Sequence, residues 1–213
     1  MPALKLYQWK SSPNSRRIRM FIAEKGVNIP FEPVNLGEGE QRTDWYVAIN
    51  PRGVVPTLVL EDGTAIGEVP AIMRYLEETF PEPALFGSTT RDHALVTMWE
   101  RRMELEGFAA VMEAVRNALP SLKGRALAGP HGYEQIPELA ERSKQRVKDF
   151  YADLDTRLSE VSFVAGNTFS AADITALVTV DFATAALKLS VPEEADAVRR
   201  WYESVSARPS ATA

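Results

Sequence analysis

The stretch of chain between residues 50 and 76 limits the possible folds more than any other. It consists of Asn-Pro-Arg-Gly-Val-Val-Pro-Thr-Leu-Val-Leu-Glu-Asp-Gly-Thr-Ala-Ile-Gly-Glu-Val-Pro-Ala-Ile-Met-Arg-Tyr-Leu. Pro56 precedes a β-rich run, and a proline there sits at the first residue of a strand or on a sheet edge. Asp62-Gly63 between two apolar runs predicts a two-residue hairpin turn, and a helix is expected to begin at Glu68.

Strand and helix signals alternate over the first 80 residues. Apolar residues at helical spacing predict a helix from Ile18, and Lys25-Gly26 provides the cation and the glycine typical of a helix C-terminus. The order β-α-β-α-β-β-α predicts an α/β domain at residues 1–80. The strands are expected at residues 4–7, 31–35, 57–60 and 64–66, and the helices at residues 18–25, 43–49 and 68–80.

After residue 80 the strand signals end. The sequence Pro-Glu-Pro stops the third helix, and residues 81–88 are predicted to be a linker. Helical periodicity then predicts an all-α domain over residues 89–213, with an uninterrupted helix at residues 91–119 and another at residues 138–158. Ser170-Ala-Ala-Asp173 fits a capping box that opens a core helix, which we interpret as a folding element.

Composition narrows the classes of function. The 213 residues carry a net charge of −5 with both signs interspersed, so there is no basic surface for DNA or RNA. No apolar run approaches the ~20 residues that span a bilayer, and the N-terminal segment lacks the pattern of a secretion signal. We expect a cytoplasmic protein without nucleic-acid or membrane partners. The chain contains no cysteine, which excludes disulfides, thiolate metal sites and a protein thiol nucleophile.

Three motifs together resemble the cytosolic glutathione S-transferase family, with features of its bacterial theta-like and nu-like members. They are Asn-Pro-x-Gly-x-Val-Pro at residues 50–56, Glu-x-x-Ala-Ile-x-x-Tyr-Leu at residues 68–76 and Ser-x-x-Asp at residues 170–173. The resemblance covers essentially the whole chain. It implies an α/β plus all-α architecture, in which a thioredoxin-like N-terminal domain is followed by a helical-bundle C-terminal domain. It also implies a cis Val55–Pro56 bond. The cis form of a bond before proline costs little energy.

The implied reaction is attack by the glutathione thiolate on a small hydrophobic electrophile, in an enzyme that is typically a homodimer. Because the chain has no cysteine, the reacting thiol must come from the ligand. Glutathione is therefore the expected co-substrate, and no metal is expected. Two alternatives remain: a glutathione-dependent peroxidase or disulfide reductase, and a non-catalytic binding protein on the same fold.

The expected thiol-activating residues lie in the polar turn before the first helix. Aligning Arg16-Arg17-Ile18 with the helix start of theta-like members places Ser12 at the activating serine. Similarity to the Thr-Pro-Asn of nu-like members selects Ser12 again and adds Asn14. Ser11 and Ser15 remain rivals, and all of these residues also suit a plain helix cap. Tyr7 lies in the strand, which argues against a tyrosine-based enzyme.

The resemblance also assigns residues to glutathione binding. Glu68 corresponds to the residue that meets the γ-glutamyl group, and the serine that usually follows it is replaced by Val69, whose backbone N–H remains available. Gln41, with Arg42 as the alternative, corresponds to the residue that meets the glycyl carboxylate. Val55 and Pro56 are expected to present the Val55 backbone to the cysteinyl group.

The electrophile pocket is expected along the first helix of the second domain. Trp99, Phe108 and Met112 are the candidates, although apolar residues at helical spacing are more often part of a core. His93 and His131 are too few and too far apart in the sequence to predict a metal site.

Overall fold

The structure is a computed structural model that describes residues 4–213. Residues 1–3 belong to the predicted first domain and to the segment inspected for a secretion signal, and they lie outside the described part. The chain divides into two compact units. One runs to Pro83 and includes Ala128–His131 and Thr212–Ala213, and the other comprises Ala84–Leu127 and Gly132–Ala211.

A four-stranded sheet organises the first unit. Its strands are β1 (Lys5–Gln8), β2 (Phe31–Pro33), β3 (Thr57–Val59) and β4 (Ala65–Ile66), in the spatial order β2-β1-β3-β4. Strand β1 runs parallel to β2 and antiparallel to β3, so that Leu6 lies opposite Phe31 on one side and Leu58 on the other. Pro33 lies on the edge strand β2, where its missing N–H breaks no hydrogen bond inside the sheet.

Three helices complete this unit and confirm the predicted order of elements. They are α1 (Pro13–Lys25), α2 (Asp44–Val47) and α3 (Val69–Thr79). Helix α1 buries Ile18, Phe21 and Ile22, the residues whose spacing predicted it. It ends at Gly26, whose φ of 63° is the left-handed conformation that glycine adopts at low cost.

The β3–β4 hairpin differs from the predicted two-residue turn. Leu60 N–H donates to the Thr64 carbonyl at 2.9 Å, so the loop contains the three residues between them. Asp62 Oδ1 accepts the Thr64 N–H at 2.9 Å, and Gly63 has a φ of 84°. The side-chain hydrogen bond and the left-handed glycine together stabilise the longer loop.

The second unit is all-helical. Its helices are α4 (Thr90–Arg102), α5 (Ala109–Ala118), α6 (Pro137–Glu160), α7 (Ala171–Phe182) and α8 (Asp196–Ser206). Residues 90–118 are helical throughout, which agrees with the helix predicted at residues 91–119 to within one residue, but a wider π-helical turn, Met103–Phe108, joins α4 to α5. A second π-helical turn, Ala183–Leu187, follows α7. Within residues 4–213, every helix is too short or too polar to cross a bilayer.

The predicted capping box opens α7 in the core of this unit. Asp173 is fully buried, and its carboxylate accepts the Ser170 N–H at 3.0 Å. The same side chain accepts the N–H of Val164 and the indole N–H of Trp201, each at 2.9 Å. One carboxylate therefore joins the start of α7 to the preceding loop and to α8.

Candidate functional site

Three loops leave the sheet of the first unit at the same end. Strands β1 and β3 are antiparallel, so the C-terminal end of β1 lies beside the N-terminal end of β3. Strands β3 and β4 are also antiparallel, which brings the C-terminal end of β4 to this end as well. The loops that contain Ser12, Val55 and Glu68 therefore begin or end side by side.

Side-chain hydrogen bonds fix the loop before β3. The Tyr46 hydroxyl donates to the Val54 carbonyl at 2.7 Å, and Asn50 Nδ2 donates to the same oxygen at 3.0 Å. Asn50 Nδ2 also lies 2.8 Å from Thr57 Oγ1, at the start of β3. Burial raises the pKa of the Tyr46 phenol, which keeps it protonated as a donor. The backbone on both sides of Val55 is therefore held in one position.

Val55 is buried, yet its backbone polar groups have no partner within the described residues. The β1–β3 pairing ends at Tyr7 opposite Thr57, before it reaches Val55. Among residues 4–213, no hydrogen bond joins the Val55 N–H or C=O to another residue, although Val55 is only 7% exposed. Buried backbone groups are almost always paired. The Val55–Pro56 bond is cis, as the resemblance implies.

Glu68 adopts a backbone conformation that is rare for a residue with a side chain. Its φ is 64° and its ψ is 120°, directly before α3. Such a conformation costs on the order of 1–3 kcal/mol and is found most often at ligand sites. A Cβ atom on the preceding Gly67 would lie 3.7 Å from Asn50 Nδ2, so the Glu68 and Val55 loops are neighbours.

The first turn of α3 presents a free backbone donor beside Glu68. Val69 is its first residue, and in the described part of the chain no acceptor is found for the Val69 N–H. Pro70 follows and has no N–H. The Val69 side chain is buried and the Glu68 side chain is exposed, so only the backbone of Val69 is suited to a ligand.

Gln41 lies in a short 3-10 turn, Glu40–Arg42, next to the Val55 loop. Gly53 approaches this turn so closely that a Cβ atom on it would lie 2.9 Å from the Gln41 carbonyl oxygen. The Glu40 carboxylate accepts the Asn35 N–H at 2.7 Å and orders the turn. The Gln41 side-chain oxygen is buried and has no partner among the described residues, whereas Arg42 is exposed.

Ser12 is the N-cap of α1. Its Oγ accepts the Ser15 N–H at 3.2 Å, and its own N–H donates to the Trp9 carbonyl at 3.0 Å. A hydroxyl that accepts one hydrogen bond still has a proton to donate. Ser12 therefore combines a donor with the positive end of the α1 dipole. Trp9 also packs against the cluster that contains Tyr46 and Val55, which ties the Ser12 turn to the Val55 loop.

The neighbours of Ser12 have different surroundings. Ser15 is fully buried and its Oγ accepts the Trp9 N–H at 3.3 Å, so it is committed to the turn itself. Ser11 is exposed. Asn14 Oδ1 accepts a hydrogen bond from Arg17 at 3.2 Å, which directs the Asn14 amide nitrogen away from that contact. Of the three serines, Ser12 is the one that caps the helix and also has a hydroxyl proton available to donate.

Sequence reasoning missed the residues that hold these loops. Besides Tyr46 and Asn50, the buried Arg19 donates to Gln8 Oε1 at 2.7 Å and to the Lys10 carbonyl at 3.0 Å. Its guanidinium thereby braces the turn between β1 and α1, and burial lowers its pKa. The signal for Asn50 was its place in the Asn-Pro motif, and the signal for Arg19 was a cation within an apolar helix pattern.

The three predicted pocket residues all lie in the helical unit, with Trp99 on α4, Phe108 in the π-helical turn and Met112 on α5. The guanidinium groups of Arg102 and Arg157 each lie over the Trp99 ring, at 4.6 and 4.4 Å from its centroid. Phe108 is buried and packs against Phe182 at 6.0 Å between ring centroids, and Met112 is half-buried. Across residues 4–213, no group of three or more acidic or histidine side chains is arranged to hold a metal ion.

Known proteins share both halves of this architecture. The family described as "Glutathione S-transferase, N-terminal domain" matches residues 11–79, and "Glutathione S-transferase, C-terminal domain" matches residues 137–204. Glutathione S-transferase 2 of Saccharomyces cerevisiae is 36% identical over 208 residues, which cover 96% of this chain and 86% of the relative.

Solved structures give the same result. A glutathione S-transferase domain-containing protein of Marinobacter aquaeolei VT8 superposes with a TM-score of 0.89 at 35% identity, over 97% of this chain and 98% of the other. Gtt2 of Saccharomyces cerevisiae superposes with a TM-score of 0.87 at 35% identity, over 96% of this chain and 97% of the other. The theta-like or nu-like bacterial subgroup stays a prediction. With matches over both domains and nearly the full length, the chain belongs to the glutathione S-transferase family.

Proposed function

We propose that this protein is an enzyme that conjugates the thiolate of glutathione to small hydrophobic electrophiles. The observation that supports this most strongly is the buried Val55, whose N–H and C=O find no partner among residues 4–213. The central cysteinyl residue of glutathione has one backbone N–H and one C=O. It can therefore pair with Val55 as an added strand pairs with a sheet edge.

Each end of glutathione is proposed to bind its own group of residues beside the Val55 loop. The γ-glutamyl ammonium pairs with the exposed Glu68 carboxylate, and its carboxylate accepts the Val69 N–H at the start of α3. The amide of Gln41 donates to the glycyl carboxylate. The strained backbone of Glu68 supports its role, because a bound ligand explains such a conformation. The position of the Gln41 turn beside the Val55 loop supports the role of Gln41.

Ser12 is the proposed activating residue, with Asn14 beside it. A free thiol with a pKa near 8.5 is only a few per cent ionised at neutral pH, and lowering that pKa by about two units requires roughly 2.7 kcal/mol of thiolate stabilisation. A hydrogen bond from the Ser12 hydroxyl, assisted by the α1 dipole, is of this order. Trp99, Phe108 and Met112 remain the proposed electrophile contacts.

A homodimer is part of the same proposal. Leu95, Met98 and Leu105 are 36%, 46% and 53% exposed and follow one another along α4 and the π-helical turn after it. A second copy of the chain would cover this apolar surface. Light scattering should give twice the monomer mass for the wild type, and Met98→Glu should lower it, whereas a monomeric wild type would contradict the proposal.

Calorimetric titration with glutathione tests the binding site. We expect saturable binding to the wild type and a loss of roughly tenfold or more in Glu68→Ala, because a charge-assisted hydrogen bond is removed. Glu61→Ala is the matched control, since it removes the same charge from the exposed hairpin loop. No heat of binding in the wild type, or equal affinity in both variants, would refute the assignment.

A substrate panel then tests the reaction. We expect turnover of aryl halides in the presence of glutathione. Turnover restricted to hydroperoxides or 2-hydroxyethyl disulfide would instead indicate a peroxidase or disulfide reductase. Glutathione binding without turnover of any of these compounds would indicate a binding protein.

A further inference from the structure

Arg116 lies in the last turn of α5 and Arg125 in the loop that follows, and neither has an acidic partner among the described residues. Arg116 Nη1 donates to the Arg125 carbonyl at 2.7 Å, and Arg125 Nη2 donates to the Ser121 carbonyl at 2.5 Å. Neither guanidinium forms an ion pair within 4.0 Å with an acidic residue of the described chain. Glu113, one turn earlier on α5, already contacts Ser143 and Arg146. Glu134 lies on the same loop without reaching either arginine.

The charge of Arg116 is placed unfavourably for an isolated protein. Its Nε atom is buried and has no hydrogen-bond partner within residues 4–213. Burial and the nearby charge of Arg125 lower the pKa of Arg116. The negative end of the α5 dipole offsets only about half an elementary charge. A buried donor and two neighbouring cations therefore lack a full counter-charge within residues 4–213.

The surrounding loop is fixed by hydrogen bonds to α5. Gln135 Nε2 donates to the carbonyls of Arg116 and Leu119, each at 2.8 Å. Asn117 Oδ1 accepts the Ile136 N–H at 2.9 Å, which fastens the far end of the loop to the same helix. The two guanidinium groups are therefore held in place before a ligand arrives, which lowers the entropic cost of binding one.

We propose that Arg116 and Arg125 form a binding site for one small oxyanion, a carboxylate, sulfate or phosphate group. Guanidinium groups bind such groups through paired N–H donors, which suits the unused Nε–H of Arg116. The oxyanion is either free in solution or carried by an electrophile. This site goes beyond the conjugation reaction, and its binding test does not require glutathione.

Calorimetric titration with inorganic sulfate at constant ionic strength tests the site. We expect one sulfate per chain, and affinity that falls about tenfold in Arg116→Lys, which keeps the charge but loses the paired donors. Arg125→Gln should lose a similar amount of sulfate affinity. Because Arg125 is less buried than Arg116, this variant still tests the site if Arg116→Lys fails to fold. Arg74→Gln removes an equally charged, 77% exposed side chain elsewhere and should leave sulfate affinity unchanged.

Comparing the binding of two kinds of compound shows whether the oxyanion is free in solution or carried by an electrophile. If the group belongs to an electrophile, 4-chloro-3-nitrobenzoate should bind more tightly than sulfate and lose affinity in the same variants, whereas tighter binding of sulfate or phosphate indicates a free ion. Either result supports the site. No sulfate binding to the wild type, or the same affinity in the wild type, Arg116→Lys and Arg125→Gln, would overturn the proposal.

Discussion

Asp173 allows a quantitative test of how the helical unit is stabilised. Its buried carboxylate accepts hydrogen bonds from the Val164 N–H and the Trp201 indole at 2.9 Å, and from the Ser170 N–H and hydroxyl at 3.0 Å. These bonds favour the ionised form, whereas burial favours the neutral form. Burial is the larger effect and raises the pKa of Asp173 from 3.8 to about 6.

The sign of the pH dependence follows from this pKa. Because the folded-state value lies above the unfolded one, the stabilisation is fully present below about pH 4 and is lost as the pH rises through about 6. The shift of about two units corresponds to about 3 kcal/mol. Asparagine does not titrate. For Asp173→Asn, we therefore expect the unfolding free energy of wild type minus variant to fall by about 3 kcal/mol between about pH 4 and about pH 8.

Urea unfolding followed by tryptophan fluorescence at a series of pH values measures this difference. Asp92→Asn is the matched control, because Asp92 belongs to an exposed capping box with Thr89. The Thr89 hydrogen bond lowers the pKa of Asp92, so its wild-type-minus-variant difference should grow with pH. If the Asp173 difference is constant or also grows with pH, hydrogen bonding balances or outweighs burial, which contradicts a raised pKa for Asp173.

Three further substitutions test other contacts. Gly107→Ala would place a Cβ atom 2.6 Å from the Phe150 ring, so we expect the free energy of unfolding in urea to fall by about 1–3 kcal/mol. Adding Phe150→Leu should restore it. An unchanged urea midpoint in Gly107→Ala would contradict the close packing. Lys25→Met removes a buried cation 2.5 Å from the Glu77 carboxylate and should lower the free energy of unfolding by about 3 kcal/mol. A variant as stable as the wild type would refute this. Tyr46→Phe removes the hydroxyl that holds the Val54 carbonyl and should weaken glutathione binding in calorimetry, whereas equal affinity would show that the loop is fixed without it.

The order of elements in the first unit could be predicted because each signal is local. Hydrophobic spacing located α1, and glycine marked its end at Gly26. Turn geometry was less accessible, since the Asp62 side chain lengthens the hairpin loop through a hydrogen bond that the dipeptide alone does not reveal. The π-helical turn that contains Gly107 was missed because one widened turn hardly changes the spacing of apolar residues.

The candidate site was predictable as a set of residues but not as an arrangement. Motif similarity selected Ser12, Val55 and Glu68, and the antiparallel strands explain why their loops share one end of the sheet. The hydrogen bonds of Tyr46 and Asn50 to the Val54 carbonyl depend on tertiary packing, which no local pattern encodes. The site residues themselves stay predictions until they are tested.

The pH titration of the ultraviolet absorbance of enzyme-bound glutathione thiolate tests the central claim most directly. We expect a bound thiol with a pKa about two units below the free value near 8.5 in the wild type. Ser12→Ala should raise that pKa by at least about one unit, and Ser12→Thr, which keeps both hydroxyl and cap, should stay close to the wild type. Identical titrations in the wild type and a folded Ser12→Ala variant would contradict the claim that a hydroxyl at the start of α1 activates the thiol.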